Sequence, residues 1–157
     1  MKKIIKVNKA NKTTDIALLT ARIAIAALML THGIPKLVML FSGAPVQFPP
    51  VLGMSAELSL ILTVFAEVIC SIFILAGFAT RVAVIPLAIT MLTAVFLIHA
   101  ADPFSVKESA LHYLVVYVVL LLAGSGKYSV DYLLQKKYPA NNFKRVKSED
   151  PTLAIYQ

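Results

Sequence analysis

Arg22, His32 and Lys36 interrupt the first long apolar run of the chain, and Glu67 stands near the middle of the second. An ionisable side chain in hydrocarbon is costly unless it is paired or hydrated, so each of these residues marks a candidate functional position. The chemistry they suit is hydrogen-bond donation and proton relay. His32 and Lys36 can donate to the oxygens of a bound molecule, and Glu67 can pass protons to it. At about 100° per residue, Arg22 and Lys36 project about 40° apart, and His32 lies one turn before Lys36. All three therefore share one side of a helix, the side expected to face a bundle interior. Glu67 is the most isolated acid of the chain, and its expected partner is a cation on the first helix, either Arg22 or His32.

A second group lies farther along. His99 closes the third apolar run, Asp102 follows it, and Glu108 and His112 form an i,i+4 pair at the start of the fourth. Helices of alternating direction bring the three histidines, Lys36, Asp102 and Glu108 to one side of the membrane. The candidate polar pocket or proton relay thus comprises Arg22, His32, Lys36, Glu67, Glu108 and His112. Plainer roles compete for several of them. Arg22 and Lys36 can snorkel towards opposite headgroup layers, His99 and Asp102 suit an interfacial loop, and Glu108 suits a first helical turn, where the dipole favours an acid. Tyr113 and Tyr117, one turn apart, suit packing. Cys70, the single cysteine, suits a buried small hydrophobe and rules out an internal disulfide. Bis-histidine haem would need His32 opposite His99 or His112 at matched depth, and no HxxxH or ExxH pair supplies two metal ligands from one helix, although Glu108 and His112 approximate one. Neither haem nor a metal is expected.

The elements that must position these residues are membrane spans. Hydrophobic residues make up 59% of the 157 positions, against roughly 45–50% in soluble domains, and the mean hydropathy is +0.80. Several runs approach the ~20 residues that cross a bilayer. The expected spans are 16–40, 56–78, 82–101 and 108–123. Between the first two, the prolines and glycines of SGAPVQFPPVLG exclude a continuous helix, and the loop at Pro49–Pro50 is apolar enough to be re-entrant. Gly77, in the short GFATR link, is placed to stop the second helix. No repeated period-2 pattern supports a β-barrel. The fold class is all-α: a polytopic four-helix membrane bundle over residues 16–124. Residues 1–15 form a basic arm, retained rather than part of a cleaved signal, and residues 125–157 a tail with a short amphipathic helix near Ser129.

The formal charge of +7 does not point to nucleic acid. Its lysines and arginines cluster in the arm, at Arg81 and in the tail, while the two longer loops hold Lys107 alone. Positive charge accumulates on cytoplasmic loops, so both termini are expected to be cytoplasmic, with the protein in the cell (inner) membrane.

In order along the chain, Arg22 with THGIPKL, Glu67 with LAGFATR, the ESALHY start of the fourth run and the closing GSGKYSVD resemble the motifs of the DoxX family. That resemblance covers about residues 16–134. It gives Gly33, Pro35, Gly77, Arg81, Gly124, Gly126, Tyr128 and Asp131 places in the family's structural motifs. It departs at Val130, where the family has Leu, and carries over neither His99 nor His112. It implies a membrane component of quinone-linked redox chemistry or of resistance to oxidative and thiol stress. In that role the chain acts with a soluble redox enzyme, as a subunit of an oxidoreductase complex rather than a stand-alone catalyst. Quinone is the expected ligand. The other readings are a non-catalytic membrane anchor of a soluble enzyme, a small-solute transporter, and a homo-oligomer whose polar groups specify helix packing. Within the first span, Gly33 permits close approach of a neighbour, and Pro35 leaves a carbonyl near Thr31 without its usual donor.

Overall fold

A computed structural model describes residues 11–137. Within that range four helices are long and apolar enough to cross a membrane: α1 (Lys12–Phe41), α2 (Ala56–Ala76), α3 (Thr80–Ile98) and α4 (Phe104–Ala123). A short helix, α5 (Val130–Lys137), follows them. The expected basic arm and distal tail fall mostly outside the described residues. Three helices begin earlier than their apolar runs suggest, α3 by two residues. α1 starts at Lys12, with its polar first turn included, and α4 starts at Phe104, directly after Pro103. α3 ends at Ile98 rather than near Ala101, and the chain then turns through His99.

Each helix packs on the next, and α4 returns to α1, which closes the four into a ring. The reason is the pattern on each helix. On α1 the buried residues are Asp15, Leu18, Arg22, Ile25, Ala26, Met29 and Gly33, an i, i+3, i+4, i+7 stripe. It meets Ile74, Leu87, Met91, Val95, Tyr117 and Leu120 in the main core. A smaller cluster, Leu60, Val64 and Val68, packs against Leu37 and Leu40 of α1 and against Val46 and Phe48 of the loop after α1. That loop thus folds back over the bundle end.

The opposite faces are apolar too. Ile23, Leu28, Val38, Ile89, Phe96, Val115 and Leu122 are all exposed. A water-soluble bundle would carry polar residues there, whereas lipid tails are the natural neighbour of such a surface.

Two stretches widen from α to π geometry, Phe65–Cys70 within α2 and Ala94–Ile98 at the end of α3. In the second, the His99 N–H reaches back five residues to the Ala94 carbonyl at 2.9 Å. Such turns insert one residue into the helical repeat and so re-aim the side chains around it. The first carries Glu67.

The beginning of α1 and the segment after α4 share one end of the bundle, because Asp15 accepts a hydrogen bond from the Lys127 N–H at 3.1 Å. That end is called the terminal end below, and the opposite one the loop end.

Candidate functional site

The buried polar residues form two groups. One, at the terminal end, joins the α2–α3 link to the segment after α4. Gly77 ends α2 in the left-handed conformation, with φ of +69°. A side chain here would be strained, and a Cβ would collide with the Arg22 guanidinium and lie 2.6 Å from Ser129 Cβ. Glycine lets the link, α1 and the post-α4 segment meet at one point. Asp131, at the start of α5, then closes the gap. Its carboxylate accepts from the Ala79 N–H at 2.7 Å and the Thr80 N–H at 3.4 Å, while its own N–H donates to the Gly77 carbonyl at 3.0 Å. Asp131 therefore caps α3 from another helix, satisfying donors at its first turn that have no partner within the helix.

Arg22 is wholly buried beside this joint. One guanidinium nitrogen donates to the Tyr128 carbonyl, and the Asp131 carboxylate offsets its charge electrostatically. Arg81 donates to the Leu122 carbonyl at 3.1 Å, and Gly124 lies against the same guanidinium. Asp15, 1% exposed, is held by Lys127 through the backbone contact and through an ion pair of 3.1 Å. Ser129 accepts from the Tyr132 N–H at 3.2 Å, which caps α5. Of the residues the family resemblance singled out, Gly77, Arg81, Gly124, Gly126, Tyr128 and Asp131 all lie in this joint.

The other group lies inside the bundle. Lys36 Nζ donates to both carboxylate oxygens of Glu67, at 2.7 and 2.6 Å. The pair is asymmetric: the Glu67 side chain is 4% exposed and that of Lys36 27%. Glu67 thus takes neither of its expected partners. Arg22 is engaged at the terminal end, and His32 turns towards α4. Helix geometry explains the choice. Cα–Cβ bonds tilt towards the helix N-terminus, so Lys36, near the end of α1, leans back towards mid-bundle. Glu67, on an antiparallel helix, leans the opposite way. The two meet, and Lys36 reaches inward instead of snorkelling outward.

Gly33 makes that approach possible. A Cβ at Gly33 would lie 2.8 Å from the Val68 side chain and 3.1 Å from Glu67. The neighbour that Gly33 admits is therefore α2, at the π turn. Pro35 remains inside a continuous α1. The Thr31 hydroxyl donates to the Leu28 carbonyl at 2.6 Å.

Across from the ion pair, α4 presents two tyrosines. The Tyr113 and Tyr117 rings stack with centroids 6.2 Å apart, and the His32 ring meets Tyr113 edge-on at 5.9 Å. Glu67 lies within electrostatic reach of both phenols. Tyr117 is 1% exposed, and its hydroxyl has no hydrogen-bond partner. The buried Ser71 hydroxyl, one turn beyond Glu67, is likewise unpartnered.

The six residues grouped from the sequence are thus divided. Lys36 and Glu67 are bonded, and His32 lies nearby through Tyr113. Arg22 belongs to the terminal joint. Glu108 and His112 lie exposed on α4, away from the ion pair, because the inward stripe of that helix runs through Ala110, Tyr117 and Leu120. His99 bonds Asp102 at 2.7 Å within the α3–α4 connection. Among the described residues, no three His, Cys, Asp or Glu side chains converge as metal ligands.

Asp15, Lys127 as its partner, and Tyr117 as a polar residue escaped the sequence reading. A signal existed for Asp15, the only acid before Glu57, seven residues ahead of Arg22 on the same stripe. Nothing comparable marked Tyr117, whose spacing from Tyr113 reads equally well as packing.

The fold and site define a class: a four-span helical membrane protein with a buried ion pair in its interior. Residues 17–100, more than half of the chain, match the DoxX family, and the chain belongs to it. No curated protein and no solved structure matched the chain.

Proposed function

We propose that this protein is a membrane component of a quinone-linked redox system, binding quinone in the polar interior around Lys36 and Glu67. The observation that carries the reading is the inward Lys36–Glu67 ion pair, set on a π turn and sealed by Gly33. Evolution of a bundle for stability alone favours apolar packing at this depth, since a buried ion pair seldom outweighs its own desolvation. A pair kept there supports a role beyond packing.

Quinone suits the neighbouring groups. It needs donors at its carbonyl oxygens, a proton source, and an apolar surround for ring and tail. Lys36 supplies a donor and Glu67 a proton acceptor and relay. Reduction to quinol takes two electrons and two protons. The electrons come from a soluble redox partner, and this chain contributes binding and the proton route. The exposed Lys136 and Lys137 of α5 support the partner's docking at the terminal end, the end expected to be cytoplasmic from its basic charge. The same observation favours a second reading, a plain membrane anchor for that enzyme.

Purification in mild detergent followed by solvent extraction separates the two. Co-purifying quinone, lost in Glu67→Gln, is the expected result. A protein free of quinone that still retains a soluble enzyme would replace the first reading with the second.

A further inference from the structure

Leu18, Ile25 and His32 recur every seven residues on α1 and share one face. The first two are buried, 9% and 8% exposed. His32 is exposed, although its ring still touches Tyr113 of α4. Burial on this face of α1 therefore gives way to exposure between Ile25 and His32, at the level where the His32 ring meets α4. Exposure then falls step by step along the aromatic run, from exposed His32 through half-buried Tyr113 to buried Tyr117. At its inner end is a hydroxyl with no partner, within electrostatic reach of Glu67.

A buried hydroxyl without a partner forfeits a hydrogen bond it made in water, so such groups are rare unless a ligand or water completes them. Here the group ends a run of touching aromatic side chains that begins at exposed His32. Aromatic rings favour a flat, conjugated ligand, and the phenol O–H favours a hydrogen-bond acceptor on it. We infer that the α1–α4 seam is a lateral entrance from the bilayer, flanked by His32 and Tyr113, and that Tyr117 donates its hydroxyl proton in a hydrogen bond to a ring carbonyl of the ligand. Tyr117 is then a binding residue, contributed by α4, where Lys36 and Glu67 come from α1 and α2. The inference rests on the quinone reading and adds to it an entrance and a donor.

The test uses the full chain in lipid nanodiscs, with a decyl-tailed dimethoxy-methyl-benzoquinone carrying ¹³C at its ring carbonyls. Binding of wild type and Tyr117→Phe is compared by equilibrium dialysis, and the bound carbonyl stretch by infrared difference spectroscopy. Loss of one neutral hydrogen bond is expected to weaken binding about three- to tenfold and to move one carbonyl band to higher wavenumber. An azido derivative of the same quinone, photolysed on wild type, is expected to label α1 near His32 or α4 near Tyr113.

Saturable binding with Tyr117→Phe unchanged in affinity and spectrum overturns the inference and leaves the quinone reading standing; it means that water alone serves the hydroxyl. Label confined to α2 or α3 does the same to the entrance. Wild type without saturable binding overturns both. The photolabelling needs no variant, so a poorly folding Tyr117→Phe protein does not shelter the proposal.

Discussion

The terminal joint and the bundle interior both bury charge, but they treat it differently. At the joint, carboxylates and guanidinium groups are spent on backbone: Asp131 on Ala79 and Thr80, Asp15 on Lys127, Arg22 on Tyr128, Arg81 on Leu122. Each contact ties one chain segment to another, and Gly77 and Gly124 leave little room beside Arg22 and Arg81. In the interior, Lys36 and Glu67 bond each other's side chains, whereas unpartnered buried groups occur in both regions: the Tyr117 and Ser71 hydroxyls inside, the Thr80 hydroxyl and two Arg22 nitrogens at the joint. Side-chain pairs can exchange partners without disturbing the backbone, whereas a backbone clamp cannot. The joint has the character of architecture and the interior that of a site.

If that contrast is right, substitutions at the joint should cost folding before anything else. Gly77→Ala has the largest expected effect. It combines a left-handed backbone with a collision against Arg22, and the two costs together come to about 4 kcal/mol or more. Thermal unfolding in detergent should show the loss, and a variant melting like wild type would mean that Arg22 is not held as described. Lys36→Met comes next. Removing one partner of a buried pair strands the other, and Glu67 is the more buried of the two, so about 3 kcal/mol is expected. Glu67→Gln should cost clearly less, because the partly exposed Lys36 can swing outward to water or headgroups. Equal costs for the two variants would remove the asymmetry on which the interior reading depends.

The difference between the regions also explains what could be read from the sequence. Span number and the Gly77 stop follow from local rules of hydropathy and turn chemistry, and the structure has them; of Arg22, His32 and Lys36, expected together on the interior face of α1, His32 is instead exposed. Lys36–Glu67 needed more. Both residues were visible as anomalies, but their pairing depends on relative helix height, on Cβ direction and on a π turn that no residue type announces. Without those, Arg22 or His32 looked the better partner for Glu67. Glu108 and His112 misled in the same way. Their spacing is right for a pair on one face, but spacing alone does not say which face turns inward. The burial of Asp131 was hidden because its partners are backbone N–H groups about fifty residues earlier in the chain.

Smaller effects sharpen the comparison at its boundary. Gly33→Ala does not strain the backbone, since Gly33 sits in ordinary helix. Its added methyl meets a γ-methyl of the χ1-restricted Val68 side chain at 2.8 Å and the Glu67 backbone at 3.1 Å. Overpacking of this kind costs roughly 1–3 kcal/mol, and it should separate α1 from the π turn. Glu67→Gln made in the Gly33→Ala background should therefore cost less than in wild type, because the ion pair is already loosened. A double-mutant cycle on melting in detergent measures this coupling, and strictly additive effects would show that Gly33 does not set the distance between Lys36 and Glu67.

Glu108→Gln and His112→Ala mark the lower limit. Both side chains are exposed on α4, and neither touches the ion pair or the joint. Substitutions at such positions usually stay within about 0.5 kcal/mol of neutral. The same variants should leave the interior untouched, so any quinone bound by wild type should be retained with both replaced. If the double variant lost it while its melting stayed unchanged, the site would extend along α4 to the loop end, and the boundary between an inward ion pair and an outward helix face would have to be redrawn.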